Sequence, residues 1–474
     1  MSGAQGDRLL TPLMLGVASG SILVPLNSTM LAVALPGIMD EFHLGAGPVA
    51  SLVTLYLGAV AVALPASGSL GDRFGHRRLF LAGVLVFAVA SALAAVATSF
   101  GVLQAGRVLQ AVSGAFVSTS SASLIREAAP PARRGEAFGL FDLLVSTSAA
   151  AGPFIGGLLV GAFGWRSLFF VAVPVSLVAL LAVGLGLRPG RTDEAAAAGS
   201  DPTARSAPGP LDVVGLTLLA AMIGAFLVAI RGGPGPVPLV AGMAILPVGF
   251  LFVRYELATA HPAVDPRLFA QRPFAAAVGG VFGSTVVLHA CFVLVPFLVE
   301  RVLAGSAATS GLVLLGISGV GAIVAPFGGR ASDRRGRRAL VVAGSLVMAG
   351  GLAGLWSPAG GASFVSVGAL LGIVGLGMGL SGSPRQAAAF ETVPGGRIGM
   401  AAGTYYTGRY LGGVVGASLA GTVLATTVSA GAVSLGFGVL VAVAVAVAVA
   451  SLGLPGLPTS GRVVEPAASE GLQG

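Results

Sequence analysis

Few residues in this chain could do chemistry, and nearly all of them stand inside apolar runs. Arg107 has Gln110 three residues on, so the two share a face if the run is helical. Asp142 lies in the next run, His289 near the middle of a later one, and Glu300 near the end of that same run. Arg409 follows Tyr405 and Tyr406 by about one helical turn. An ionisable side chain in such a setting is costly to keep, and its chemistry is that of cargo binding or proton movement. Arg107 offers a fixed positive charge that could bind an acid or tune a proton site; it could equally tie helices together through backbone carbonyls. Asp142 could carry a proton, or pair with Arg73 or Arg134. His289 ordinarily titrates near physiological pH, so it could handle protons or cargo, or simply bond between packed helices. Arg409 beside two tyrosines could hold aromatic or anionic cargo, or sit in a buried ion pair.

Other chemistries lack their residues. There is no phosphate-binding loop, no zinc ligand set and no nucleophile–base pair, so no cofactor, no metal and no enzyme activity are expected. Cys291 is the only cysteine and cannot form an internal disulfide.

The surroundings explain why these groups stand out. The chain has 474 residues, 55% hydrophobic and only 9% charged, where a soluble domain carries about 25%. Lipid must solvate much of it. Its 74 glycines fall largely within apolar runs, where small residues let membrane helices approach closely. The net charge of +8 reads as marking the cytoplasmic loops, with no nucleic-acid partner expected.

A crossing needs about 20 apolar residues. Fourteen runs qualify: 12–37, 48–70, 79–98, 101–124, 137–160, 167–187, 212–230, 237–254, 274–298, 308–328, 339–357, 363–383, 399–423 and 432–454. Val439–Ala450 alternates like a strand, but both faces are apolar and no partner strand is evident, so a helix is expected. The fold class is therefore an all-α membrane protein: two six-helix bundles with an additional central helix pair, fourteen transmembrane helices in all. The divisions are 1–187 for the first bundle, 188–272 for a cytoplasmic linker plus the extra pair, 273–454 for the second bundle and 455–474 for a disordered cytoplasmic tail. The linker 188–211 is rich in Pro, Gly, Ala and Arg and reads as flexible. With the N-terminus inside, Arg73, Arg77, Arg78, Arg126, Arg133, Arg134, Arg188, Arg191, Arg205, Arg330, Arg334, Arg335, Arg337, Arg338, Arg385 and Arg397 all fall inside. Arg166, Arg231 and Arg301 are left outside. Both termini are then cytoplasmic.

A repeat supports two related halves. Gly68, Asp72, Arg73, Gly75 and Arg77 follow the second run; Gly329, Asp333, Arg334, Gly336 and Arg338 follow the tenth, each 261 residues later. Glycine permits a tight turn, and the Asp can cap it or pair with Arg across the half-interface. Two copies at matched positions fit a hinge or gate on the cytoplasmic side better than topology anchors alone.

With these residues in view, the sequence resembles the major facilitator superfamily, and within it the fourteen-span drug:proton antiporters. The loop Gly68–Arg78 carries the resemblance, as do Arg107, Gln110 and Gly114, then Gly152, Pro153, Gly156 and Gly157, then Trp165, Arg166, Phe169 and Pro174. Leu26 to Thr29 with Ala34 to Pro36, Pro273-Phe274, and Arg409 with Gly412 and Gly413 add to it. Where the first-span pattern usually holds an acid, this chain has Asn27, which implies another proton-carrying group or another coupling. The resemblance implies a secondary transporter that exports lipophilic drugs, antibiotics or a metabolite against protons by alternating access. It also implies a multi-pass location in the plasma (inner) membrane and a monomer in contact with lipid. Gly152, Pro153, Gly156 and Gly157 would bend the fifth span and seal the outer face. Proton-coupled uptake and a non-transporting sensor are the alternatives; the fifth-span motif speaks against the first and the duplicated loop against the second.

Overall fold

The computed structural model describes residues 12–129, 133–186, 212–231, 236–259, 262, 264–357, 363–391, 393, 398–425 and 428–456. The linker 188–211 and the tail from 457 lie outside the described residues. Among those residues the regular structure is entirely helical. The first helices are α1 (Pro12–Met30), α2 (Leu35–Glu41), α3 (Ala46–Phe74), α4 (His76–Ala95), α5 (Phe100–Ala128), α6 (Arg134–Phe163) and α7 (Ser167–Gly186). The middle pair is α8 (Val213–Arg231) and α9 (Val237–Ala258). The last are α10 (Arg272–Phe297), α11 (Ala307–Arg335), α12 (Arg337–Trp356), α13 (Phe364–Glu391), α14 (Ile398–Val423) and α15 (Ala430–Ala450).

Helices stand at every expected place, and α15 takes up the alternating Val/Ala stretch. The expected first span is α1 and α2 joined by a 3-10 turn at Leu31–Ala34, where Pro36 cannot donate a backbone bond. Among the described residues, twelve helices are long and apolar enough to cross a bilayer, against fourteen expected. Of the other two, α8 has the shorter apolar segment Val213–Ala229 within the described residues, and α14 carries Arg409 among Thr and Tyr residues.

Local signals set the helix ends. Ser99, Ser306 and Ser429 cap α5, α11 and α15 by accepting bonds from Val102, Thr309 and Ala432 backbone N–H groups. Gly75 and Gly336, the paired loop glycines, have φ of +88° and +81°, a conformation that disfavours any side chain. Both let the chain reverse between two helices without a longer loop. Elsewhere glycine serves close approach: a Cβ at Gly377 would lie 2.3 Å from the Gly344 carbonyl, which brings α12 and α13 together.

Helices α1 to α7 pack mainly on one another, and so do α10 to α15. The two groups meet at two crossings. α3 meets α14 where Gly421 approaches Ala50 and Gly47, and where Gly413 approaches Leu57. α6 meets α11 where Gly157 lies against Ala307, Ala308 and Gly311, and the Ser318 hydroxyl donates to the Ala150 carbonyl at 2.8 Å. α8 lies beside the first crossing, with Leu219 and Ile223 in a buried cluster with Ala61 of α3. α9 leaves Met243, Leu246 and Phe250 exposed, as a lipid-facing helix would.

The inter-group contacts concentrate at the end away from the arginine-rich loops. There Arg301 donates to Asp40 at 2.5 Å and to the Pro36 carbonyl at 3.1 Å, joining α2 to the turn after α10. Arg166 and Trp165 both bond Glu41. At the arginine-rich end, Gly68 of α3 and Gly139 of α6 have nothing within 4 Å of where a Cβ would stand. No hydrogen bond or ion pair among the described residues joins the groups there. Among the described residues, the side-chain bonds between the groups lie at one end and along the α6–α11 crossing. The Arg301–Asp40 pair is half exposed, so it contributes less than about 1 kcal/mol. Arg301→Ala should accordingly raise thiol labelling of a cysteine placed at Ala425 about two- to fivefold. Buried Cys291 gives a silent background, and an unchanged rate would show that the pair does not hold this end shut.

Candidate functional site

Arg107 is 1% exposed and is the centre of a network across five helices. Its Nη1 donates to Asn27 Oδ1 on α1 at 2.6 Å and to Gln110 Oε1 at 2.8 Å. Gln110 Nε2 donates to Ser91 Oγ on α4 at 2.8 Å, and Asn27 Nδ2 reaches the Leu168 carbonyl on α7 at 3.5 Å. The guanidinium lies 4.1 Å above the Tyr56 ring of α3. Arg107 Nε has no hydrogen-bond partner. The expected bonds to backbone carbonyls do not form; both of its Nη1 bonds go to side-chain amides. Every hydrogen-bond acceptor it uses is neutral, so its charge is screened by dipoles and a ring face, not cancelled.

The second polar group lies across α3 from the first. Tyr56 faces Arg107, while its neighbour Leu57 touches Gly413 and, beside it, His289. The His289 Nδ1 is 3.1 Å from the Thr285 carbonyl, and its ring meets Phe292 edge-on. Thr285 Oγ1 donates to the Arg409 carbonyl at 2.8 Å, pinning α10 to α14. Tyr405 stacks edge-on with Tyr406 and Phe390, and Gln386 donates to the Tyr406 hydroxyl at 3.3 Å. Arg409 is exposed, stands near mid-helix, and has no ion-pair partner among the described residues. The buried-pair alternative for it is therefore not realised.

Arg385 corrects the sequence reading. It was counted with the inner-loop arginines, but α13 continues past it to Glu391 and Arg385 is 2% exposed. Its Nη1 donates to Ser284 Oγ on α10 at 2.7 Å, whereas Nε and Nη2 have no partner. A Cβ at Gly280 would lie 2.7 Å from Arg385 Nε, so glycine leaves the notch in which the side chain lies. The signal was present in Gln386-Ala-Ala-Ala-Phe390, which sustains a helix beyond the apolar run.

Other expected residues fall elsewhere. Asp142 is exposed on α6 and belongs to neither network. Its expected pair with Arg73 does not form, and the side chain of Arg134 is not among those described. Asp142 shares a helix face with Ala150, Pro153 and Gly157, the line that meets α11 further along. The two loop motifs do not meet. Asp72 bonds His76 at 3.3 Å within its own loop and not an Arg across the interface; Arg337 pairs with Glu391, and Arg338 donates to the Leu454 carbonyl. Glu300 accepts from Ser310. Gly152 packs against Thr29 and Gly156 against Met30, which brings α6 onto α1. Tyr56, Ser91 and Ser284 were not singled out in the sequence, because uncharged residues in an apolar run carry no signal until a partner is beside them.

Known proteins are similar to this one over most of the chain. The tetracenomycin C resistance and export protein of Streptomyces glaucescens is 32% identical over 88% of this chain and 76% of its own. The multidrug efflux pump LfrA of Mycolicibacterium smegmatis is 32% identical over 85% of this chain and 78% of its own. An uncharacterized MFS-type transporter of Bacillus subtilis, YwoD, is 33% identical over 87% of this chain and 90% of its own. Among solved structures, a D-xylose–proton symporter aligns with a TM-score of 0.64 at 13% identity, covering 93% of this chain and 96% of that one. A bacterial homologue of the lysosomal transporter Spinster, inward-facing and unoccupied, aligns at 0.65 and 16% identity, covering 93% and 95%. These likenesses show a shared fold. A profile described as Major Facilitator Superfamily matches residues 17–417 and 280–470. With apolar helices, buried polar networks and relatives that are transporters and not enzymes, this chain belongs to the major facilitator superfamily of membrane transporters.

Proposed function

We propose that this chain exports lipophilic small molecules from the cell in exchange for protons, by alternating access. The supporting observation is the asymmetry of the bonds between the two helix groups: Arg301 joins Asp40 and the Pro36 carbonyl at one end, and no described residue bonds across the arginine-rich end. In this reading the positive-inside rule makes the arginine-rich end cytoplasmic, and an exporter takes up its cargo there. In this reading the chain crosses the plasma membrane fourteen times, α1–α2 counting as one span, with both termini in the cytoplasm. It works as a monomer: residues 1–187 and 273–454 rock as two bundles, and the α8–α9 pair flanks the α3–α14 crossing. Gly152, Pro153, Gly156 and Gly157 seal the outer face in the cytoplasm-open state. Gly68, Asp72, Arg73, Gly75 and Arg77 meet Gly329, Asp333, Arg334, Gly336 and Arg338 in the opposite state. Asn27, Arg107, Gln110, Asp142, His289, Tyr405, Tyr406 and Arg409 form the cargo and proton pathway. Drug and antibiotic export by relatives about 30% identical supports the cargo class.

The test uses inverted vesicles with an acidified interior. Adding lipophilic dyes and antibiotics one at a time should collapse the pH gradient for at least one of them, and only when the protein is present. No collapse with any compound, together with gradient-driven uptake in intact cells, would replace export by symport.

A further inference from the structure

Three cations lie within the membrane-spanning helices away from the loops: Arg107, Arg385 and Arg409. None of them has an acidic partner. Arg107 bonds Asn27 and Gln110, Arg385 bonds Ser284, and Arg409 has no ion pair among the described residues. Arginine cannot relieve this by losing its proton. The acids within the helices lie elsewhere: buried Glu256 of α9 stands beside Gly215 and Asp212 at the start of α8. Glu300 is at the shut end against Ser310, and Asp142 follows the α6 line toward α11. A low-dielectric interior with three uncancelled positive charges carries a strong positive potential, focused wherever one of them meets the open space.

Arg409 is that place. On α14, Gly408, Gly412 and Gly416 pack against α10, Gly413 and Gly421 face α3, and Leu411 clusters with α8. Arg409 leaves the helix between the α10 and α3 strips, on the side away from α8, and is exposed there. It therefore points into the space between the two helix groups. Thr285 links His289 to Arg409, its carbonyl facing His289 Nδ1 and its hydroxyl donating to the Arg409 carbonyl; Tyr405 and Tyr406 precede Arg409 by about one turn, and Gln386, next to Arg385, donates to the Tyr406 hydroxyl. The arrangement is a guanidinium fork beside aromatic rings, backed by a second buried guanidinium with two unpartnered nitrogens.

Resting on the transport reading above, we infer that the cargo is an organic anion. Its aromatic or alicyclic body packs on the apolar wall and tyrosines, and its carboxylate or acidic phenol is held by Arg409. Arg385 and Arg107 supply the field that favours the anion over a neutral or cationic analogue of the same shape.

The test holds shape constant and changes charge. The full chain in lipid nanodiscs is titrated with pyrenebutyrate, its carboxamide and pyrenebutylamine, read by pyrene fluorescence. The acid should bind at least about tenfold more tightly than the amide. Arg409→Gln should erase that difference while leaving the amide within about twofold of its starting affinity, and Arg409→Lys should restore part of it. Equal affinities in the unaltered chain, tighter binding of the amine, or a preference that survives both Arg409→Gln and Arg385→Gln would overturn the inference. Gradient collapse by the amine and amide but not the acid would also overturn it, while leaving proton-coupled export intact. Selective binding of the acid with no gradient collapse by any of the three would uphold the anion site and count against export.

Discussion

Substituting valine for Gly157 is expected to lower transport at least about fivefold while the chain still folds and reaches the membrane. A Cβ at Gly157 would lie 2.5 Å from the Ala307 carbonyl oxygen. A Cβ at Gly311, on the facing helix, would lie 2.3 Å from the Pro153 carbonyl. Both obstacles are backbone, so neither can swing aside as a flexible side chain would. Overpacking of this kind costs about 1–3 kcal/mol. Because the clash exists only when α6 and α11 are together, the cost falls on one conformation. It shifts the balance between shut and open forms by a factor of roughly 5 to 150. The Ser318–Ala150 bond at 2.8 Å further along the same crossing would be lost as well. Distances between spin labels at the shut end should lengthen, and transport in vesicles should fall together with them. Gly139→Ala, on the same helix but with nothing within 4 Å, should leave both readouts within about twofold. Equal effects from the two substitutions would mean that helix propensity and not the crossing is responsible.

Arg107→Ala is expected to have a comparable effect by a different route. It removes two hydrogen bonds from a charged donor, at 2.6 and 2.8 Å, and leaves the Asn27 and Gln110 oxygens buried without that donor. At about 1.5 kcal/mol for each bond the loss is about 3 kcal/mol, or a factor of about 100 if the network is needed in only one of the two states. The Tyr56 ring also loses its cation, and Tyr56 belongs to the helix that meets α14. Arg107→Lys should recover less than about a tenth of the activity: an ammonium could serve both amide oxygens from one nitrogen, as Nη1 does, but it has no planar guanidinium to lie on the Tyr56 ring at the same time. The readouts are transport in vesicles and thermal unfolding in detergent. Loss of transport with an unfolding temperature within a few degrees of the parent chain would place the network in the transport cycle. Full transport in Arg107→Ala would remove it from the pathway, whatever happened to stability.

Much of this was legible in the residues. Apolar runs of 18 residues or more located the long helices, of which twelve among the described residues are long and apolar enough to cross a bilayer, because a bilayer imposes a length and forbids unpaired backbone. Gly75 and Gly336 were legible through their 261-residue spacing, and their positive φ gives the physical need for glycine. Arg107 with Gln110 was legible as a pair on one face, which the structure retains. Arg385 was misplaced because the apolar run stops near Gly382, whereas the helix continues on alanines whose propensity needs no hydrophobicity. Asp142 offered two readings in the sequence, a proton carrier or a partner for Arg73 or Arg134; the structure places it exposed on the α6 face that runs toward α11, without a bond to Arg73.

The sequence by itself determined that the chain lives in lipid, roughly where its long helices lie, which end gathers most of the arginines, and several of the charged groups left in apolar surroundings. Those properties follow from composition and local periodicity, which the bilayer reads residue by residue. Only the tertiary structure decided the partners. Asn27 meets Arg107 from 80 positions away, Arg385 meets Ser284 from 101, and Arg301 meets Asp40 from 261. It also decided that Arg107 is enclosed while Arg409 is exposed, although both read alike as arginines in apolar runs. The reason is geometric. Which side of a helix faces a neighbour, and which faces a cavity, depends on how the helices are rotated and crossed, and that is fixed by close contacts such as Gly157 on Ala307.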